Sequence, residues 1–299
     1  MSLIQIAAGV RRPVERLPEW LRKPETAASA VHDLKVELRE RRLHTVCESA
    51  RCPNMHDCFS RKTATFMILG NICTRRCGFC AVPQGEGSAL DADEPRHVAE
   101  MAARMGLRYV VITSVNRDEL PDGGSAHFAK TVRETRRALP GAKVEVLTPD
   151  FLGDEQAVAR VLDAGPDVFN HNMETVSRLY SRVRPQAIYQ RSLDVLAYAK
   201  RRRPDVLTKS GLMVGLGETH EQVRQLLRDL RGASVDVATI GQYLQPRRNR
   251  LPVEEFVTPA QFDEYREYGE SIGFRNVFSG PFVRSSYMAD LVAEGAELP

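Results

Sequence analysis

The chain has 299 residues, enough to bury a large core as one α/β domain or two smaller ones. Its 42 basic and 39 acidic side chains leave a net charge of only +3, far from the one-sign field of a dedicated nucleic-acid binder, so nucleic acid is excluded as a partner and small or protein substrates are expected. Apolar runs such as "TFMILG" and "YVVITS" are too short to span a bilayer, and no basic-then-apolar leader opens the chain, so no membrane partner is expected and a cytoplasmic location is predicted.

Residues 1–60 are rich in Arg, Pro and Glu and show little regular alternation apart from one helix predicted near 28–42; they read as an N-terminal extension wrapped on a core. From Thr63 a short apolar run, a loop and an amphipathic stretch recur. Strands are predicted at 63–70, 108–114, 142–148, 166–172, 206–215 and 236–244. Helices are predicted from Glu94, then over 125–139, 154–164, 189–203, 219–231 and 259–272, the last with Thr258 at its N-cap and Pro259 in its first turn. Six strand–helix alternations argue for a parallel sheet with right-handed crossovers and are too few for the eight-fold barrel. The predicted fold class is therefore α/β, a partial (βα)6 TIM-like barrel over 61–275, with a C-terminal segment over 276–299 closing over the metal sites. In such folds the loops after the strands carry the chemistry, and Cys73 follows the first strand by three residues.

All six cysteines fall in "CESARCPNMHDC", residues 47–58, and "CTRRCGFC", residues 73–80. In a reducing compartment clustered thiols point to metal rather than disulfides. Cys73, Cys77 and Cys80 are spaced C-x3-C-x2-C, a compact set of soft ligands suited to an iron–sulfur cluster or zinc. Three thiolates on a four-iron cubane leave one iron open to a substrate or cofactor, whereas a structural zinc site closes with four ligands; the competing reading is a zinc knuckle completed by His44 or His56. Phe79, just before Cys80, reads by itself as an apolar anchor for the loop.

The Cys73, Cys77, Cys80 set with Phe79 resembles the signature of the radical S-adenosylmethionine (SAM) superfamily, in which the open iron binds SAM. Cys47, Cys52 and Cys58, spaced C-x4-C-x5-C, resemble the auxiliary-cluster motif of the lipoyl synthases, as do "TATFMILG", "TSVNRDELPDGG", "FNHNMETV", "TKSGLMVGLGE" and "GPFVRSSY". The family pattern leads one to expect an acidic residue where Asn116 stands. The resemblance implies insertion of two sulfur atoms at C6 and C8 of an octanoyl chain on a carrier lysine, with SAM and two 4Fe-4S clusters as cofactors. Cys73, Cys77 and Cys80 would hold the SAM-binding cluster. Cys47, Cys52 and Cys58 would hold the auxiliary cluster that supplies the sulfur, closed by Ser286 or, alternatively, its neighbour Ser285. Implied partners are octanoylated lipoyl-carrier domains (a 2-oxoacid dehydrogenase E2 or a glycine-cleavage H protein), a flavodoxin or ferredoxin as electron donor, and an iron–sulfur carrier that rebuilds the auxiliary cluster.

Other residues follow from their context. Asn172 and Glu174, after the fourth strand, are expected to contact the cofactor's sugar or methionine part. His171 reads as a hydrogen-bonded structural histidine. Lys209, inside an apolar strand, is costly to bury unpaired and is expected to face the barrel interior and meet a carboxylate such as SAM's. Gly215 and Gly217, with Glu218, either bring backbone close to SAM or make a strand-to-helix turn. "KRRRP" at 200–204 reads as the solvated C-terminal end of a helix. Biotin-synthase-like or methylthiotransferase-like enzymes would share the Cys73 loop but are not expected to combine the Cys47 triplet with "RSSY". A zinc-stabilised nucleic-acid binder leaves the six strand–helix units unexplained.

Overall fold

The computed structural model describes residues 17–22, 36, 38–41, 43–49, 54–55, 58 and 63–286. Cys52, His56 and Tyr287 lie outside the described residues. Of the helix predicted over 28–42, residues 36 and 38–40 are described and helical, with Leu38 buried in the main core.

Eight strands form one sheet in sequential order: β1 (His44–Thr45), β2 (Thr63–Ile68), β3 (Tyr109–Ser114), β4 (Lys143–Leu147), β5 (Val168–Asn170), β6 (Leu207–Val214), β7 (Val237–Gln242) and β8 (Asn276–Gly280). β1 is antiparallel to β2, and all later neighbours are parallel. The crossovers between β2 and β8 contain α1 (Glu94–Arg104), α2 (Ser125–Ala138), α3 (Glu155–Leu162), α4 (Tyr189–Arg202), α5 (His220–Gly232) and α6 (Pro259–Ser271). Right-handed crossovers that always step in one direction put every helix on the same face of the sheet. The sheet therefore curls around its other face, and with seven parallel strands it makes a partial TIM-like barrel of six βα units.

Local chemistry agrees with this order. Thr219 and Gln222 form a reciprocal capping box at α5, and Thr258 caps α6 ahead of Pro259. Two strands extend the sequence reading. The two-residue β1 is too short to show an alternation. β8 hydrogen-bonds along β7, so the sheet runs through Gly280, past the boundary placed at 275.

Strand side chains alternate between the two faces. Phe66, Ile68, Val110, Ile112, Val144 and Val146 pack with Val98, Met101, Phe128 and Val161 of the helices, and Leu212, Ala238, Ile240 and Val277 pack with Val223, Leu227 and Phe262. The opposite parity faces inward and is partly polar. There Lys209 and Glu145, both fully buried, make a two-pronged ion pair at 3.2 and 3.1 Å. Tyr109 and Asn170 each donate a further hydrogen bond of 2.8 Å to Glu145. The carboxylate that Lys209 meets is thus Glu145 of the same chain. Among the described residues no helix is long and apolar enough to cross a membrane.

Candidate metal centre

Leu69 and Gly70, both left-handed (φ 68° and 89°), turn the chain out of β2 and into the second cysteine loop. The loop folds back on itself: Cys73 N–H donates to Pro83 O at 2.9 Å, and Gly85 N–H to Cys73 O at 3.0 Å. Gly78 joins it to two other loops, donating to Val183 O at 2.9 Å and accepting from Leu251 N–H at 3.1 Å. A Cβ at this glycine would lie 2.8 Å from the Leu251 side chain and 3.2 Å from Arg182 O, so the loops pack closely here. Phe79 packs against the second apolar cluster.

Cys73, Cys77 and Cys80 are free and half-buried. Burial pushes the Cys77 thiol up to about 12 and Cys80 in the same direction; Cys77 also feels the charge of Cys73 and Cys80, and Cys80 that of Cys73. A cationic core bound there would reverse that balance and hold them as thiolates. Three soft thiol donors on one compact loop are the ligand chemistry that an iron–sulfur cluster takes. Asn116 Oδ1, Asn172 Oδ1 and Ser279 Oγ are buried without a hydrogen-bond partner in or beyond the strand ends, polar atoms that a polar ligand at the barrel mouth would satisfy.

Several side chains fix this loop from below and beside it. Arg75, buried, bonds Asp118 at 2.7 and 2.9 Å and Asp150 at 2.6 Å, while Arg191 holds the other Asp150 oxygen. Burial opposes ionisation of Asp150, but Arg75 overcomes it and holds the carboxyl well below its usual range. Gln186 accepts from Arg76 N–H at 2.6 Å and donates to Thr74 O at 3.3 Å. Arg117 ties Ser88 O to Leu69 O at 2.8 and 2.9 Å. Asn116 meets the loop through its backbone: its N–H donates to Cys73 Sγ at 3.3 Å, a contact that needs no acidic side chain.

Glu174 and Asn172 lie beside the loop, with Asn172 Nδ2 donating to Glu174 at 3.1 Å. Glu174 is left-handed (φ 65°), a costly backbone for a non-glycine residue, and burial pushes its carboxyl up against the pull of Arg184. Arg184 is buried, donates to Asn172 O at 2.8 Å and acts electrostatically on Cys77, forming a fixed cation beside the thiols. His171 uses both ring nitrogens, with Thr148 O at 2.9 Å and Ser192 Oγ at 3.0 Å, and burial lowers it to about 4, so it is neutral at pH 7. Gly215 and Gly217 make a strand-to-helix turn whose Gly215 and Leu216 N–H groups donate to Glu218. Lys209 is engaged by Glu145 within the barrel.

Cys47 and Cys58 of the first triplet are buried, and Cys52 lies outside the described residues. Asn54, within that triplet, is fully buried; it accepts from Cys58 N–H at 3.0 Å and donates to Phe282 O at 2.7 Å. That bond brings the first cysteine segment against the C-terminal "GPFVRSS" run. The same run seats on β7 at Gly241, where a Cβ would lie 2.1 Å from Val283 O. Ser285 and Ser286 follow, half-buried.

Sequence reading missed Asn54, Arg75, Arg117, Arg184 and Gln186. Arg75 and Arg76 are adjacent and chemically identical, yet only Arg75 is buried. Asn54 and Arg75 had one visible signal, a place inside the cysteine motifs; Arg117, Arg184 and Gln186 lie far from those motifs in sequence.

The sequence matches the radical SAM superfamily over residues 67–230 and the N-terminal domain of lipoyl synthase over residues 8–52. It is 57% identical to the lipoyl synthase of Caldanaerobacter subterraneus subsp. tengcongensis over 92% of this chain and 96% of that one. It is 56% identical to that of Rubrobacter xylanophilus, over 93% and 87% respectively. Among solved structures, methylornithine synthase superposes with a TM-score of 0.53 at 16% identity, covering 75% of this chain and 67% of that one, which supports the barrel fold alone.

Proposed function

Because the chain belongs to the lipoyl synthase family of radical SAM enzymes, we propose that it inserts two sulfur atoms, at C6 and C8, into an octanoyl chain carried on a protein lysine. The family carries SAM and a 4Fe-4S cluster. Cys73, Cys77 and Cys80 would hold that cluster's three ligated irons. Together with SAM, the cluster supplies a carbon radical able to take hydrogen from an unactivated C–H bond.

The residues of the chain position and shield this chemistry. The Arg75–Asp118–Asp150 network and the Gln186 clamp keep the cysteine loop in one conformation. Asn172 and Glu174 are the polar groups offered to SAM, and Arg184 provides the fixed cation for an anionic group beside Cys77.

The observation that carries the finer reading is the Asn54–Phe282 bond, which joins the first cysteine triplet to the serine-bearing segment. On this reading Cys47, Cys52, Cys58 and Ser286 hold a second 4Fe-4S cluster that is consumed as the sulfur substrate. A hard serine oxygen grips iron less firmly than a thiolate, which suits a cluster that must open. Residues 1–60 then act as the auxiliary-cluster arm, 61–275 as the radical barrel and 276–299 as the closing segment. The partners are an octanoylated carrier domain, a flavodoxin- or ferredoxin-type donor and an iron–sulfur carrier, all in the cytoplasm.

The test is anaerobic reconstitution followed by reaction with SAM, reductant and an octanoyl-lysyl peptide, read by mass spectrometry. Expected products are 5′-deoxyadenosine and peptide bearing two added sulfurs, both lost in Cys77→Ala. Zinc in place of iron with no SAM cleavage would overturn the enzyme reading; cleavage without sulfur insertion would overturn the substrate.

A further inference from the structure

Many surface arginines of the barrel are matched to acids. Even the 200–204 run is neutralised: Lys200 pairs with Asp236 at 2.8 Å, Arg202 with Asp163 at 3.2 Å and Arg203 with Asp205 at 2.8 Å. The loop after β7 departs from this pattern. Arg247 and Arg248 are exposed, Arg250 is half-buried with a buried Nε lacking any hydrogen-bond partner, and among the described residues none of the three has an acid partner. On the same loop Glu254 is engaged by Arg182, leaving Glu255 as its unpaired acid.

This basic loop lies against the cysteine loop, through the Leu251 N–H to Gly78 O bond, and Gln245 braces it by donating to Arg250 O at 2.7 Å. Arg76, exposed between Cys73 and Cys77, adds a further side chain without an acid partner. From Arg76 the rim continues through Gln186 to Arg191, which donates to Gln186 O at 3.2 Å and pairs with Asp150 at 2.7 Å. Two apolar side chains stand out from this stretch, Ile188 and Leu152, 55% and 54% exposed. Leu152 and its neighbour Phe151 both have positive φ, 54° and 44°. A backbone this costly for non-glycine residues holds an apolar side chain in solvent, a combination that packing alone does not explain. Together with Leu90, these are the exposed large apolar side chains among the described residues of the barrel, and all three sit on βα loops at the mouth.

We propose that this arc of the rim, from Leu152 through Ile188 and Arg76 to Arg247 and Arg248, is the docking face for an acidic surface of the carrier that presents the octanoyl-lysine. The inference rests on the function proposed above: a chain tethered by a lysine stem reaches the cysteine loop only if the carrier itself covers the mouth. Arginines interleaved with apolar anchors are the composition of a protein interface, and unpaired cations steer an acidic partner toward it.

The test uses the full-length reconstituted enzyme with a chemical reductant and two substrates, an octanoylated lipoyl-carrier domain and a short octanoyl-lysyl peptide. For the carrier, the Arg247→Glu/Arg248→Glu variant should raise KM about tenfold or more and flatten its dependence on ionic strength; Leu152→Ser should raise KM without changing that dependence. Peptide turnover should stay within about twofold of wild type in both variants, because the peptide does not need the rim. An unchanged KM for the carrier, or equal losses on carrier and peptide, would overturn the proposal. So would a defect that emerges only when a protein electron donor replaces the chemical reductant, which would assign the face to that donor. Failure of the wild-type enzyme to modify either substrate would remove the functional reading beneath it.

Discussion

Lys209 stands, fully buried, in β6 opposite Glu145. A cation inside an apolar strand must be paired, and Glu145 from β4 pairs it, with Tyr109 and Asn170 completing the carboxylate's hydrogen bonds. Removing one member leaves the other buried and uncompensated. Lys209→Met should therefore destabilise the fold by about 3–5 kcal/mol, while Lys209→Met combined with Glu145→Gln should recover much of that loss. Urea unfolding of the two single variants and the double variant measures the coupling. A Lys209→Met cost below about 1 kcal/mol would mean that water reaches the pair.

At the level of elements, the mouth of the barrel is assembled by loops that share a few contacts. Gly78 joins the cysteine loop to the loops after β5 and β7, and Gly241 lets the C-terminal run lie directly on β7. Gly241→Ala would place a methyl group against Val283 O, which rigid strand backbone cannot relieve, so the 281–286 segment must move. Hydrogen exchange in that segment is expected to accelerate by about tenfold or more while β7 keeps its protection. Unchanged exchange would show that the run draws no stability from its seat on Gly241.

At the scale of the whole molecule, the main apolar clusters are complete without the C-terminal run, which a bond from Asn54 to Phe282 O joins to the first cysteine segment. The apolar clusters on the helix-facing side of the sheet draw on residues up to Val277, and the run after Gly280 contributes Val283 to a small separate cluster. A chain ending at Gly280 should thus retain its far-ultraviolet dichroism and cooperative unfolding. On the proposed reading, in which Ser286 closes a second cluster, its bound iron should fall to about half after reconstitution, since one of two equal clusters would lose a ligand and its supporting contact. Full iron content in the truncated chain would remove the serine segment from the second site.

Much of this was legible along the chain. The strand–helix rhythm from Thr63 onward gave the six βα units because alternation and helical period are local consequences of burying one face. The spacing of Cys73, Cys77 and Cys80 and their place after the first predicted strand pointed to a candidate metal centre, because thiols three and four residues apart share one loop whatever surrounds it. β1 and β8 were not legible, being short strands defined by their partners rather than by their own patterns. Nor was the division of labour between Arg75 and Arg76, the pairing of Lys209 with Glu145, or the contact of Asn54 with Phe282, 228 residues away. Each of these depends on which distant groups the fold brings within hydrogen-bonding reach. The barrel units and the candidate thiol ligands are local patterns that the chain carries along its length; which charges are buried, which are paired and which remain exposed at the mouth depends on distant groups that meet only in the folded molecule.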